Sequence, residues 1–194
     1  MSQVPTVRGP VSSAGLGPTY MHEHIFTLTA DVQQNCPQEW GSEEARIADA
    51  AGKLRALRVL CESAGVDPGR VLLAHSGDTT DCDHLAGLAD AGFTLGMDRF
   101  GLNVETTFEA RADTLVEMCR RGYAGSMVLS QDASCYIDWI DPEVLPFMAQ
   151  WHYLHIGDEV LPYVRDRGVT EDDIGVMLIE NPRHFFETAA SGAG

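Results

Sequence analysis

Positive charge is scarce in this chain. Thirteen Lys and Arg stand against 29 Asp and Glu, a net charge of -16, and lysine occurs once, as Lys53. Such an acidic surface repels nucleic-acid backbones and anionic membrane surfaces, so neither is expected as a partner. Its ordinary role is a solvated face that keeps the protein soluble, and it also attracts cations. No apolar run is long enough to span a bilayer. Residues 1–15 lack the apolar stretch between a basic start and a small-residue cleavage site that a signal peptide requires. The five cysteines (Cys36, Cys61, Cys82, Cys119, Cys135) are odd in number and dispersed, with no CxxC pair. That argues against a disulfide framework or a zinc knuckle and for a reducing, cytoplasmic location. Internal repeats and low-complexity tracts are also absent. What remains has the length and composition of one globular domain, expected to take in residues 1–194.

A Gly-, Pro- and Ser-rich opening over residues 1–18 reads as a turn or small hairpin. Residues 19–28 are strand-like and apolar except for His22, Glu23 and His24. Ser42 is a natural N-cap, with Glu43 and Glu44 behind it, for a long amphipathic helix that stops near Gly65. Short apolar strands follow at 70–75, 93–98 and 126–130, alternating with helical patterns at 81–91 and 109–121. Further helices are expected at 152–166, 172–178 and 182–188. Strand and helix in alternation predict an α/β fold with a parallel sheet.

In such folds chemistry sits at the carboxyl ends of the strands. Here each apolar strand carries polar groups there: His22 and His24 on the first, then His75, Asp98-Arg99 and Asp132. Residues two apart on a strand share a face, so His22 and His24 point together. Two imidazoles, a third from another strand and a carboxylate make a zinc-type donor set. Singly, each has a plainer role. His75 can be a hydrogen-bonded core histidine, Asp132 a loop cap, and Asp98-Arg99 a buried ion pair. His84 and His184 read as surface and structural residues. His152 and His155 lie three apart in a helical pattern and can share a face. Tyr153, Phe185 and Phe186 read as core.

Met21-His-Glu-His24, His75-Ser-Gly-Asp-Thr-Thr-Asp81, Gly96-Met-Asp-Arg-Phe-Gly101, Leu129-Ser-Gln-Asp132, Ile137-Asp-Trp139 and Asn181-Pro-Arg-His-Phe-Phe186 together resemble the phosphotriesterase family. That family includes phosphotriesterase-like lactonases and belongs to the amidohydrolase superfamily of TIM barrels. The resemblance implies a hydrolase of lactones or organophosphate esters that works through a metal-activated water. It implies His22, His24, His75 and Asp132 as ligands of one or two divalent metals, zinc foremost. Asp132 would also take the proton of the attacking water. Arg99 would lie beside the substrate, and Trp139, in the loop after the last strand, would line its pocket.

The same resemblance exposes a shortfall. A (β/α)8 barrel needs some 250 residues. This chain offers about four βα units, equivalent to strands 1, 6, 7 and 8, with a junction near 57–59. The resemblance places a bridging carboxylated lysine on the fourth strand and a histidine on the fifth, and both strands are missing. Lys53 lies on the long helix, and Gln131 stands where relatives commonly carry histidine. The expected fold is therefore an incomplete TIM barrel with two open edges and an exposed apolar face. Pairing into a homodimer would cover them. The alternative to an active hydrolase is a catalytically inactive remnant or a half-barrel interaction module.

Overall fold

The computed structural model describes residues 2–6, 9–19, 21, 24–27, 67–103, 106–137, 140–141 and 143–190. His22, Trp139, Lys53, the long helix expected before Gly65 and the junction near 57–59 lie outside the described residues. For His24 only the backbone is described.

The chain opens with a small antiparallel hairpin, as its turn-rich sequence predicts. β1 (Gln3–Val4) pairs with β2 (Val11–Ser12). The remaining strands are all parallel. β4 (Leu72–Leu73), β5 (Thr94–Met97) and β6 (Met127–Leu129) form one ladder in that order. β3 (His24–Thr27) and β7 (Ser134–Ile137) form a second. Only Ser130–Ala133 separate β6 from β7, so the order β4, β5, β6/β7, β3 matches the neighbour order expected of barrel strands six, seven, eight and one. The parallel sheet with its helices is of the TIM-barrel type.

The segments 130–137 depart from expectation. The stretch after Asp132 continues as β7, with His24 opposite Ser134 and Phe26 opposite Tyr136. Its polar lead-in, Ser-Gln-Asp-Ala, hides a strand that resumes after a kink at Asp132, where φ is +53°. β4 is likewise shorter than the apolar pattern over 70–75. His75 turns the chain into a left-handed conformation with φ +61°, and a 3-10 turn, Ser76–Asp78, follows.

Helix α1 (Cys82–Asp90) begins where Asp81 accepts the backbone N–H groups of Asp83 and His84 at 3.1 and 3.0 Å. Such a cap satisfies donors that the first helical turn leaves open. α2 (Phe108–Arg120) is capped in the same way by Thr107, which accepts from Ala110 at 3.2 Å. It ends at Gly122, whose φ of +89° suits a residue without a Cβ. α1 and α2 cover the β4–β5–β6 ladder. Leu85, Leu95, Met97, Leu115, Met127 and Leu129 have no exposed surface in that layer. Fully burying each such side chain contributes about 1.5–3 kcal/mol.

The tail is more continuous than expected. α4 (Glu171–Gly175) starts on a capping box between Thr170 and Asp173. A π turn (Val176–Glu180) joins it directly to α5 (Asn181–Ala190). Before it, a π turn (Ile156–Val160) likewise leads into α3 (Leu161–Arg165). Each π turn precedes a proline, Pro162 or Pro182. A proline ring crowds the carbonyl four residues back and lacks the N–H that would bond it, so a widened turn relieves the crowding. The carbonyl that Pro182 frees, on Leu178, instead accepts the N–H of Thr19 at 2.8 Å. Asn181 donates to the carbonyls of Ala124 and Met127 at 2.8 and 2.7 Å, which fastens α5 to β6. No helix among the described residues is long and apolar enough to cross a membrane.

Candidate active site

The carboxyl ends of β4, β5 and β6 bring together His75, Asp98, Arg99 and Asp132. His24 is the first described residue of β3. Its ladder partner Ser134 stands two residues beyond Asp132, so its backbone is level with this cluster.

Asp98 is 1% exposed and its Oδ1 accepts twice from His75: from the backbone N–H at 2.8 Å and from ring Nδ1 at 3.0 Å. A carboxylate on Nδ1 fixes the proton there and leaves Nε2 as the donor atom, the usual arrangement behind a metal-binding histidine. This bond raises the His75 pKa above its ordinary value, against the opposing effect of burial. Asp98 thus serves His75. Successive strand residues point to opposite sides, and Arg99 reaches Asp78 instead.

Arg99 Nη1 lies 2.7 Å from Asp78 Oδ2, and its Nε lies 3.5 Å from Asp132 Oδ2. Asp78 is shared. Its Oδ1 accepts from Nη1 of Arg111 at 2.7 Å. Arg111 is fully buried and also donates to the carbonyls of Gly77 (2.9 Å) and Leu102 (3.1 Å). A chain of alternating charge therefore runs from Arg111 through Asp78 and Arg99 to Asp132. Buried charges persist only when paired and hydrogen-bonded in this way.

Gln131 is buried and donates from Nε2 to the carbonyl of Tyr153 at 2.6 Å. The Trp151 indole N–H is shared between the carbonyls of Gln131 (3.2 Å) and Asp132 (3.1 Å). The segment 150–153 is thus fastened to the end of β6. His75 and Asp132 are the two non-glycine residues with positive φ among those described. Such conformations cost of order 1–3 kcal/mol each and cluster at functional sites.

Of the residues singled out in the sequence, the structure brings His75, Arg99 and Asp132 near one another. Asp78, Arg111 and Trp151 were not singled out from sequence. Asp78 had a signal, its place in the His75-Ser-Gly-Asp motif. Arg111 had one as well: it precedes Ala112 and sits four residues before Leu115 on the buried side of α2.

The chain has counterparts among known proteins. The phosphotriesterase family model matches residues 2–59 and 50–186. A phosphotriesterase homology protein of Mycobacterium tuberculosis is 27% identical over 320 aligned positions, which take in 96% of this chain and 98% of the relative. An aryldialkylphosphatase of Saccharolobus solfataricus is 36% identical over 132 positions, 66% of this chain and 42% of that protein. Among solved structures, the phosphotriesterase from Mycobacterium tuberculosis superposes with a TM-score of 0.77 at 27% identity, covering 96% of this chain and 98% of the other. An organophosphorus hydrolase from Deinococcus radiodurans does so with a TM-score of 0.61 at 32% identity, over 66% of this chain and 41% of the other. By the extent of the family match and the order of its motifs, this chain belongs to the phosphotriesterase family.

Proposed function

We propose that the chain is a metal-dependent hydrolase of small esters, with lactones or organophosphate esters as its substrate class. The observation that carries this reading is the pairing of His75 with Asp98, which prepares Nε2 of the ring as a ligand. The residues fit a divalent metal. Imidazole nitrogen on His75, carboxylate oxygen on Asp132 and the two histidines His22 and His24 make a nitrogen–oxygen set that suits zinc. A divalent metal held there would acidify a water molecule and polarise an ester oxygen.

The chain's own residues supply the rest. Asp132 accepts the proton of the attacking water. Arg99, anchored by Asp78, presents positive charge to the substrate oxygen on which negative charge builds. Trp139, outside the described residues, is the side chain this reading would assign to the pocket. Lys53 being the only lysine, the reading is of one metal rather than a lysine-bridged pair.

The reading includes an incomplete barrel of four βα units, equivalent to strands 1, 6, 7 and 8, in one domain with its junction near 57–59. Two findings support it. The family-model matches overlap at 50–59, and an alignment of 320 positions is spanned by a chain of 194 residues. The same findings favour a second reading, an inactive family member whose open faces are covered by a second copy. Metal analysis and lactone turnover on one purified sample separate the two. The first reading expects about one zinc per chain that His22→Ala removes, together with turnover. Metal without turnover supports the second, and folded protein with neither metal nor turnover sinks the first.

A further inference from the structure

His152, His155 and Glu159 form a cluster that shares no residue with the site above. One ligand atom from each lies within 4.8 Å of the others. His155 has no exposed surface, and neither ring nitrogen has a hydrogen-bond partner. Its Nδ1 lies 3.3 Å from Oε1 of Glu159 without the alignment of a hydrogen bond. A buried imidazole ordinarily satisfies at least one nitrogen. Here a buried imidazole stands beside a carboxylate and a second imidazole, with the His152 and His155 ring centroids 5.9 Å apart.

The surroundings hold this arrangement. Gln150 Nε2 donates to Oε2 of Glu159 at 2.6 Å, which turns Oε1 toward His155. Phe108 packs against the His155 ring with centroids 5.5 Å apart. The π turn Ile156–Val160 carries Glu159, and such turns recur at functional sites. His152 Nδ1 accepts the N–H of Leu154 at 3.2 Å, which orients the ring.

We propose that His152, His155 and Glu159 are a second divalent-metal site, of zinc type, which joins the segment fastened over Asp132 to the helix that follows it. Two imidazoles and one carboxylate, with a water in the fourth position, are a known tetrahedral zinc set. Gln150 acts as the outer hydrogen-bond partner of the carboxylate ligand. Trp151 lies beside His152 and bridges the carbonyls of Gln131 and Asp132, so metal here would stiffen the wall of the candidate active site.

The test is zinc titration of the full metal-stripped chain against a chromophoric chelator, with thermal melting alongside. The variants are His24→Ala, His152→Ala, Glu159→Gln and Gln150→Ala; His155 is left intact because its burial makes its replacement a risk to folding. His24→Ala is expected to retain one zinc equivalent and the rise in melting temperature that zinc brings. His152→Ala and Glu159→Gln are each expected to lose that equivalent, and Gln150→Ala to weaken it about 10–100-fold. Equal zinc content and affinity in wild type, His152→Ala and Glu159→Gln overturn the proposal, as does a His24→Ala protein that binds none. The proposed hydrolase site fails separately, if His24→Ala and wild type bind the same number of ions.

Discussion

Replacing Arg111 by methionine removes the charge at the base of the network while roughly keeping its volume. Asp78 Oδ1 and the carbonyls of Gly77 and Leu102 lose their donor together. Removing one partner of a buried pair costs about 3–5 kcal/mol. Asp78 is 24% exposed and retains Arg99, so the cost falls at the lower end, about 3 kcal/mol. For a chain of this size that lowers the melting temperature by about 6–12 °C. Asp78→Ala is the harsher change, because it leaves the fully buried guanidinium without its carboxylate. Urea unfolding of metal-stripped protein, followed by circular dichroism, reads both differences without the added stability of bound metal. A loss below about 1 kcal/mol in Arg111→Met would refute the view that this ion pair holds the site together.

Asp98→Asn keeps the shape but removes the carboxylate behind His75. Zinc affinity of the candidate active site should fall about 10–100-fold in chelator competition, and an unchanged affinity counts against His75 as a ligand. Gly101→Ala should destabilise by at least about 2 kcal/mol in the same urea assay. Gly101 has φ +94°, and an added Cβ would stand beside the carbonyl of Gln150; a neutral result would mean that segment 148–151 yields freely. Burial pushes the Cys119 thiol up to about 12, whereas Cys135 is exposed. At about pH 8, alkylation read by peptide mass spectrometry should therefore modify Cys135 and spare Cys119 in folded protein. Thr170→Ala breaks the capping box of α4 and should cost about 1 kcal/mol by thermal melting.

The elements that announce themselves in the sequence are those whose apolar pattern and caps agree. α1 has Asp81 before it, and α2 has Thr107 before it and Gly122 behind. Both lie within a residue or two of where the pattern puts them. β7 was hidden because its strand resumes after a polar kink and finds its partner more than a hundred residues earlier, in β3. The union of α4 with α5 was hidden because Pro182 reads as a break. Only the tertiary contact with Thr19 shows where the freed carbonyl goes. In the candidate site, the ionisable groups at the strand ends were legible from alternation of strand and helix. Their pairing was not, because adjacent Asp98 and Arg99 point to different partners that residue order does not specify.

The clasp between the two ends of the described chain also sets an order of assembly. Ser13 Oγ donates to Glu187 at 2.8 Å across a separation of 174 residues, and the N–H of Thr19 waits for the carbonyl of Leu178. At synthesis rates of about 5–20 residues/s, that separation corresponds to roughly 10–35 s. The approach to β3 is secured only once α5 has left the ribosome. Until then β3 has neither its ladder partner nor its clasp, a window in which the nascent chain is exposed.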